Sequence, residues 1–351
     1  SRSLPSVKWR SVCFAVYGGF SVQHAVRFIA DYQLTSSAKS SKSMQEDEIV
    51  VSEVHVDSDN IIKSSNDPLL NLVPEALKSR LRVVQSRLHI KWDTDLEAAN
   101  PGCLSLDEDG DLDVARIHRS TAILLDHCPA TTLPTVGLQV WKAALLMSDF
   151  LLHCGKEVLR GKGVVELGSG AGLCGVVAAA FADSVVCTDA WQEVLHLCRR
   201  NLEQNEAFYD ALNVKPCSTR VRCLDWRHGL PETLTATGWS AEDVEDFRKA
   251  DIFLAADVVY DDNLTDCLFE LLLKAVTRAG QMVYIALEKR VNFTLEDLDV
   301  VSPSHIHFTR WLERLSNHGW LVNALDLSGI PQYFTGYSRD SYLELWLLKP
   351  S

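Results

Sequence analysis

Short apolar runs alternate with amphipathic segments along the second half of the chain. The runs are continuous, which is typical of strands that are buried on both faces of a parallel sheet. The segments between them repeat apolar residues at helical spacing, and strands and helices that alternate in this way are joined by right-handed crossovers. The predicted strands are Val164–Leu167, Ser184–Thr188, Arg220–Leu224, Ile252–Ala256 and Gln281–Leu287, and the predicted helices are Leu138–His153, Leu173–Phe181 and Glu193–Asn205.

This order predicts a doubly wound α/β fold, a Rossmann-like and mainly parallel sheet with its ligand at the carboxyl ends of the strands. Two further strand-like runs, Trp320–Leu327 and Tyr342–Leu348, are separated by the long loop Ser328–Ser341. They predict an antiparallel hairpin that closes the sheet. We therefore expect one domain over residues 136–351.

The preceding region, residues 44–135, has a weaker pattern and is expected to pack on that domain as an N-terminal extension. Ile49–Val56 alternates like a strand, and an amphipathic helix is predicted near Glu75–Val84. The acidic run Asp107–Asp113 could suggest a calcium loop. An EF-hand loop needs glycine sixth and glutamate twelfth, whereas here glycine is fourth and histidine twelfth. A solvated acidic turn is the favoured interpretation.

Residues 1–43 differ in composition from the rest of the chain. They hold six Lys and Arg against one Asp, and the Ser/Lys-rich run Thr35–Ser43 directly precedes the first methionine, Met44. We expect the natural protein to start at Met44, with residues 1–43 disordered or foreign to it.

Composition and charge narrow the classes of function. The net charge is −13 and the pI about 5.3, which argues against nucleic-acid and anionic-membrane binding and suits a basic partner. No run of apolar residues is long enough to cross a membrane. The ten cysteines are scattered without a C-x-x-C pair, so neither a zinc site nor a disulfide scaffold is predicted. An intracellular monomer is our expectation.

The strongest local signal is a glycine-rich loop after the first strand of the domain. Glycines at such a turn let a ligand approach the backbone, and the helix that follows offers free N–H groups to an anion. A dinucleotide-binding loop would need glycine at Leu173, so the spacing G-x-G-x-G favours S-adenosylmethionine over NAD. The residues concerned are Glu166, two positions before the first glycine, and the loop Gly168, Ser169, Gly170, Ala171 and Gly172.

Acidic residues end the next two strands. Asp189 lies about twenty residues past the glycine loop, where an acid can accept both ribose hydroxyls, although a helix cap is the alternative. Asp225 and Trp226 follow the third strand, where such folds hold the adenine. There Asp225 would accept the exocyclic amine and Trp226 would cover the ring, with a purely structural tryptophan as the alternative.

The fourth strand ends in Ala256 and is followed by the sequence D-V-V-Y, in which Asp257 and Tyr260 are both able to face the mouth of the site. Amino-methylating DNA enzymes carry two prolines in the corresponding motif. Their absence here and the acidic surface disfavour a nucleobase substrate. Glu288-Lys289-Arg290, after the fifth strand, either shapes a substrate groove or is a solvated charge cluster.

With these motifs the chain resembles the family-16 seven-β-strand methyltransferases, which are mostly protein-lysine methyltransferases. The resemblance rests on Val140-Trp141, the glycine loop, L-D-W after the third strand and D-V-V-Y after the fourth. The segments Leu106–Val114, Tyr260–Asp266 and Glu288–Val300 resemble one member group more closely, and the likeness runs from about Met44 to the end.

The resemblance implies a class I methyltransferase that acts on a lysine of a protein, with S-adenosyl-L-methionine as the cofactor. It implies that Asp257 and Tyr260 border the target lysine. It also implies a nuclear or cytoplasmic location, and nuclear or chaperone-type proteins as substrates. The residues that it places around the cofactor are Trp141, Glu166, the loop Gly168–Gly172, Asp189, Trp226 and Ala256.

Two alternatives remain open on the sequence. The same cofactor half would serve a methyltransferase of a small molecule or of another protein side chain. A non-catalytic interaction module could also keep this fold, although the intact motifs argue against loss of activity.

Overall fold

The computed structural model describes residues 49–51, 54, 61–62, 67–78, 81–92, 121–231, 238–290, 292–294 and 299–351. Three sequence predictions lie outside these ranges: the leader 1–43, the start at Met44 and the acidic turn at 107–113. Of the predicted strand Ile49–Val56, only Ile49–Val51 and Val54 are described. None of the helices in these ranges is both long and apolar enough to cross a bilayer.

The strands and helices follow the chain in the order predicted for a doubly wound domain. The strands are β1 (Ile49–Val51), β2 (Ile61–Ile62), β3 (Val84–His89), β4 (Ala122–His127), β5 (Ala130–Thr132), β6 (Gly163–Leu167), β7 (Ser184–Asp189), β8 (Ser218–Cys223), β9 (Ile252–Ala256), β10 (Met282–Glu288), β11 (Asn292–Thr294), β12 (Asp299–Val301), β13 (Leu321–Ala324) and β14 (Leu343–Lys349). The α-helices are α1 (Glu75–Lys78), α2 (Lys142–Leu159), α3 (Leu173–Ala178), α4 (Gln192–Glu203), α5 (Glu206–Ala211), α6 (Ala241–Lys249), α7 (Asp262–Ala275) and α8 (Pro303–Asn317).

A seven-stranded sheet forms the centre, in the order β13-β14-β10-β9-β6-β7-β8. All its strands are parallel except β14, which runs antiparallel to both β10 and β13. The predicted closing hairpin is therefore present, with β14 inserted between β10 and the edge strand β13. The chain leaves β6 toward β7 and then returns to β9 on the other side, so the ends of β6 and β9 form the switch point where ligands bind in such sheets.

Helices cover both faces of this sheet. One buried cluster joins α2, α3 and α4 to the sheet through residues such as Leu145, Val176 and Val194. A second cluster joins α6, α7 and α8 to the other face through Phe247, Phe269 and Phe308. Burial on both faces explains why the central strands are continuous apolar runs. The predicted class, a doubly wound α/β fold with a mainly parallel sheet, is confirmed.

The start of the helix predicted at Leu138–His153 was wrong, since α2 begins only at Lys142. Residues Leu133–Leu138 form a 3-10 helix, and Gln139–Trp141 are extended. The side chain of Trp141 donates from Nε1 to the carbonyl of Val136 at 3.1 Å, which holds the extended turn in place. Apolar spacing does not reveal this turn because Leu138 and Val140 are buried in either conformation.

A second prediction, a helix near Glu75–Val84, was mostly wrong. Among the described residues of this segment, 75–78 and 81–84, the single turn α1 alone is helical, and Val84 begins a strand. In β3, buried residues alternate with more exposed ones, and the strand pairs antiparallel with β4. Sheet pairing, which lies far away in sequence, decides the conformation here over local helical spacing.

The region before α2 forms two small sheets against the domain. One is the ribbon of β1 and β5, and the other has the order β2-β3-β4. The β4 strand packs on α4, where Arg200 forms ion pairs with the buried Asp126 at 2.7 Å and Asp67 at 2.8 Å. The proposed boundary near residue 135 falls within the 3-10 helix Leu133–Leu138 and stays a prediction.

Candidate active site

The glycine loop connects β6 to α3 with a backbone that few other residues could adopt. Gly168, Gly170 and Gly172 have φ values of 70°, 51° and 83°, all in the left-handed region. A Cβ on Gly172 would lie 2.8 Å from Sγ of Cys198, and one on Gly168 would lie 2.8 Å from Val258. The sequence signal G-x-G-x-G therefore has a direct cause, because the turn needs both positive φ angles and hydrogen in place of side chains.

The loop forms one wall of a pocket at the switch point between β6 and β9. Seven predicted site residues meet there: Trp141, Glu166, Gly168, Ser169, Gly170, Gly172 and Ala256. Five further residues complete the lining, namely Gln139, Val140, Ala144, Ala171 and Leu173. Of these five, the sequence analysis placed only Ala171 in the site, as part of the loop Gly168–Gly172. Those from Gln139 to Ala144 could not be placed because the helix was predicted to start at Leu138.

Glu166 lies beneath the loop and is fully buried. Its Oε2 accepts a hydrogen bond from the thiol of Cys187 at 3.4 Å, and the pKa of the carboxyl is raised to about 7 because burial disfavours the charged form. An ideal Cβ on Gly175, in α3, would lie 3.0 Å from the same oxygen. Glu166 therefore supports the start of α3 from below in addition to lining the pocket.

Asp189, at the end of β7, holds the loop from the side. Its Oδ2 accepts from the backbone N–H of Gly170 at 3.1 Å, and its Oδ1 accepts from that of Ala190 at 2.8 Å. Removal from water raises the pKa of Asp189, although these amide donors oppose the shift. The carboxyl is only partly exposed. These two bonds tie Asp189 to the loop and to Ala190, which lies before the start of α4 at Gln192, so neither is a cap of that helix.

Asp225 and Trp226 behave differently from each other. Both oxygens of Asp225 are bound by the side chain of Arg227, at 2.6 to 3.1 Å, and this ion pair lowers the pKa of Asp225. The structure therefore pairs the predicted adenine acceptor with an arginine that the sequence analysis did not consider. The Trp226 ring lies 3.4 Å from an ideal Cβ on Gly168 and so packs beside the loop, while its predicted contact with adenine stays a prediction. Its Nε1 is buried without a hydrogen-bond partner among the described residues.

Asp257 and Tyr260 follow Ala256 in the chain, and neither they nor Asp189, Asp225 and Trp226 are among the residues that line the pocket. Asp257 is buried and has a φ of 58°, an unusual angle for a residue with a side chain. Its backbone N–H donates to the carbonyl of Ala286 at 2.8 Å, which fixes the turn after β9 to β10. Left-handed strain of this kind is characteristic of functional positions.

Arg290 links the acceptor side of the site to the pocket. Its guanidinium donates from Nη2 to Oδ1 of Asp257 at 2.9 Å and stacks 4.6 Å from the ring centroid of Trp141. The neighbouring Lys289 instead pairs with Glu344 at 2.5 Å. The tripeptide Glu288-Lys289-Arg290 is thus not merely a solvated cluster. Glu288, its first residue, pairs with Lys142 at the start of α2 at 2.8 Å.

Tyr260 keeps 43% of its surface exposed. Loss of water around the hydroxyl, together with the negative charges of Asp189 and Asp261, raises the pKa of Tyr260 to about 12. The hydroxyl therefore stays protonated near neutral pH. It is able to donate a hydrogen bond but not to act as a strong base.

The pocket fits the methionine part of S-adenosylmethionine, which carries an ammonium and a carboxylate. Two polar atoms on its wall, Ser169 Oγ and Gln139 Oε1, are buried without a hydrogen-bond partner in the described ranges. Buried polar groups are normally satisfied, so these atoms indicate a polar ligand. Within the same ranges no cluster of three or more His, Cys, Asp or Glu side chains is placed to hold a metal ion.

Comparison with known proteins gives the family. The sequence profile of the family described as "Lysine methyltransferase" matches residues 128–301. Methyltransferase-like protein 22 of Homo sapiens is 32% identical over 292 residues, which cover 69% of this chain and 70% of that protein. The Mus musculus protein of that name is 33% identical, covering 69% and 72%. Protein-lysine N-methyltransferase EFM3 of Chaetomium thermophilum is 29% identical, covering 70% and 64%.

The family-16 resemblance that the sequence motifs indicated is thereby confirmed. The matched span begins in the segment before α2 and ends at β12, so it includes the glycine loop, β9 and Asp257. This chain belongs to the lysine methyltransferase family, in the group of the proteins named methyltransferase-like protein 22.

Proposed function

We propose that this chain transfers a methyl group from S-adenosylmethionine to the side-chain amine of a lysine in a protein. The observation that carries the proposal is the position of Asp257. It directly follows Ala256, which lines the cofactor pocket, and it is joined to the pocket wall at Trp141 through Arg290. A nucleophile held at Asp257 would therefore lie beside the bound methyl donor.

The residues of the pocket would bind and orient the cofactor. When bound, S-adenosylmethionine supplies a methyl group on a positively charged sulfur that leaves as a neutral thioether. The glycine loop and Ser169 would hold the amino-acid end, Asp189 would accept the ribose hydroxyls, and Trp226 would cover the adenine. The bonds that Asp189 already makes to the loop would keep the ribose site and the loop in register.

The acceptor residues would act on a lysine amine. A free lysine has a pKa of about 10.4, so its ammonium must lose a proton before the nitrogen can attack. Asp257 Oδ1 or Oδ2 would accept a hydrogen bond from the amine and orient the lone pair toward the pocket. The protonated hydroxyl of Tyr260 would line the approach. Alignment at near-attack distance is the main contribution expected of the enzyme.

Arg290 sets a condition on this step. Its guanidinium occupies the side of Asp257 at Oδ1, so the incoming amine either uses the other oxygen or displaces the arginine. An amine that arrives uncharged also avoids repulsion from the guanidinium. Arg290 therefore favours the deprotonated form of lysine beside Asp257, as burial does.

The protein-lysine proposal is tested by transfer of a labelled methyl group. The full chain is incubated with cell extract and S-adenosylmethionine labelled in the methyl group, and the acceptor proteins are hydrolysed for amino-acid analysis. We expect label in methylated lysine with the wild type and none above background with Asp257→Ala. Lys289→Ala, one residue from Arg290, is the control that should keep activity. Label in another amino acid or only in small molecules would favour the alternative acceptors, and no label would favour a non-catalytic module.

The finer properties of the enzyme are proposals as well. The net charge of −13 favours a lysine within a basic segment and disfavours direct binding to nucleic acid. We propose that the chain acts as a monomer in the nucleus or cytoplasm, on nuclear or chaperone-type proteins. Sedimentation of the purified chain and imaging of the tagged protein in cells test the oligomeric state and the location.

A further inference from the structure

Two asparagines four residues apart, Asn201 in α4 and Asn205 directly before α5, hold the small N-terminal sheet. Asn201 accepts from the N–H of Asp126 at 2.8 Å and donates to its carbonyl at 2.9 Å. Asn205 makes the same pair of bonds with Leu124, both at 2.8 Å. Because Leu124 and Asp126 are two residues apart on β4, the side chains of Asn201 and Asn205 bond the same edge of the strand.

Only Asn201 has a further bond that reaches the cofactor pocket. Its Nδ2 also donates to the carbonyl of Ala171 at 2.8 Å, and Ala171 lines the pocket within the glycine loop. Asn205 instead donates its second N–H to the carbonyl of Asn201, in the last turn of α4, at 2.7 Å. Both asparagines are buried. They are therefore alike in burial, in chemistry and in bonding both backbone groups of one β4 residue. Asn201 differs in its contact with the loop and in accepting a hydrogen bond from Nε2 of Gln204 at 2.7 Å.

The loop depends on such outside support. Its three glycines are in the left-handed region, where glycine has no intrinsic preference to remain, so the loop loses much conformational freedom when it is ordered. The N–H groups of Ser169 and Gly170 donate to the Thr188 carbonyl and to Asp189 Oδ2, respectively. Asn201 holds the next residue, Ala171, and the adjacent Cys198 packs against Gly172.

We propose that Asn201 is a positioning residue for the cofactor, which makes the N-terminal sheet part of the cofactor-binding unit. The inference rests on the proposed binding of S-adenosylmethionine to the loop. Asn201 fixes the Ala171 carbonyl and, through the same amide, the backbone of β4. Binding of S-adenosylmethionine at the loop and ordering of β4 are then coupled through the Asn201 amide, so that each stabilises the other.

The test compares Asn201→Ala and Asn201→Ser with Asn205→Ala in the full chain. Calorimetric titration gives the Kd for S-adenosylmethionine well below the unfolding temperature, and urea unfolding gives the stability of each variant. We expect all three to lose stability. The Asn201 variants should raise the Kd roughly tenfold, the effect of about one lost buried hydrogen bond, while Asn205→Ala stays within about twofold of the wild type.

A second measurement uses the wild type alone and decides the matter if the Asn201 variants do not fold. Saturating S-adenosylmethionine should slow hydrogen exchange of the Asp126 amide, which is bound by Asn201, more than that of the Leu124 amide, which is bound by Asn205. Equal Kd changes in the two sets of variants, or equal protection of the two amides, would overturn the inference alone. A wild type that does not bind S-adenosylmethionine would overturn the proposed function, and the inference with it.

Discussion

Glu166 shows how one residue can join the stability of the fold to the site. It is fully buried among the thiols of Cys174 and Cys187 under the glycine loop, and the pKa of its carboxyl is raised to about 7 from an ordinary value of 4.5. The folded protein therefore keeps a proton on Glu166 between these values, where the unfolded chain has lost it. By linkage, the free energy of unfolding falls as pH rises through this window.

We expect the free energy of unfolding of Glu166→Gln not to show this fall as the pH rises. Relative to the wild type, the variant should gain up to about 3 kcal/mol between about pH 5 and pH 8, because glutamine has no charged form to bury. Urea unfolding at both pH values measures the difference. Glu270→Gln, at an exposed position of α7, is the control, and its stability should change with pH as that of the wild type does. If the free energy of unfolding of Glu166→Gln changed with pH as that of the wild type does, the raised pKa assigned to Glu166 would be contradicted.

Gly172, in the glycine loop, and Gly161, outside it, allow two free-energy costs to be separated: that of a left-handed backbone angle and that of a steric contact. Gly161 and Gly172 have similar φ values, 74° and 83°, but an added Cβ meets nothing within 4 Å at Gly161 and meets Cys198 Sγ at 2.8 Å at Gly172. We expect Gly161→Ala to cost about 1 kcal/mol of stability from the angle alone. Gly172→Ala should cost more and should weaken S-adenosylmethionine binding, which Gly161→Ala leaves unchanged. Chemical unfolding and calorimetry check both results.

At the scale of elements, the segment between β13 and β14 is fixed by one buried acid of α2. Asp149 accepts from the backbone N–H groups of Tyr333 and Phe334 at 2.9 and 3.1 Å. It also accepts from the Tyr337 hydroxyl at 2.5 Å and the Arg339 guanidinium at 2.6 Å. Asp149 thus accepts hydrogen bonds from four donors of a long connection that has little regular structure of its own. This connection allows β14 to insert beside β10.

Asp149→Asn should destabilise the protein by about 3 kcal/mol, because it removes the charge from a buried pair and leaves the Arg339 guanidinium poorly compensated. Limited proteolysis should then cut within residues 328–341 before any other described loop is cut. Asp326→Asn, on an exposed acid of the same connection, should leave both the unfolding curve and the cleavage pattern unchanged. Equal effects of the two substitutions would show that the buried network is not what holds the segment.

The order of elements was predictable because each central strand carries its own signal. Ile252–Ala256 was predicted to the residue, and the neighbouring parallel strands to within two residues at either end. Such strands are buried on both faces, so nearly every position must be apolar. The helix predicted near Glu75–Val84 failed at its end because Val84 starts β3 and pairs with His127 of β4, a strand that begins only at Ala122.

At the scale of the whole molecule, a bound cofactor should stabilise the fold as one unit, since the pocket is lined by residues before α2, by the loop after β6 and by the end of β9. At about 100 times its Kd, S-adenosylmethionine should add about 2.7 kcal/mol of stability. That corresponds to a rise in Tm of roughly 5 °C for a protein of this size. Thermal unfolding with NAD at the same concentration is the control. A shift with NAD alone would contradict the choice of cofactor.

The sequence by itself determined the fold class, the glycine loop and the motif with Asp257 and Tyr260. These features depend on local rules, since burial on two faces requires apolar runs and a left-handed turn requires glycine. The family, and with it lysine methylation, followed from the same motifs and is confirmed by the comparisons. The role of each site residue stays a prediction.

Only the tertiary structure decided which side chains meet across distant segments. It paired Asp257 with Arg290, brought Gln139 to the pocket and joined Asn201 to both β4 and the loop. Arg290 lies 33 residues beyond Asp257, and Asn201 lies 75 residues beyond Asp126. No repeating pattern in the sequence reveals such contacts, because they depend on how the strands are ordered in the sheet and where each helix packs.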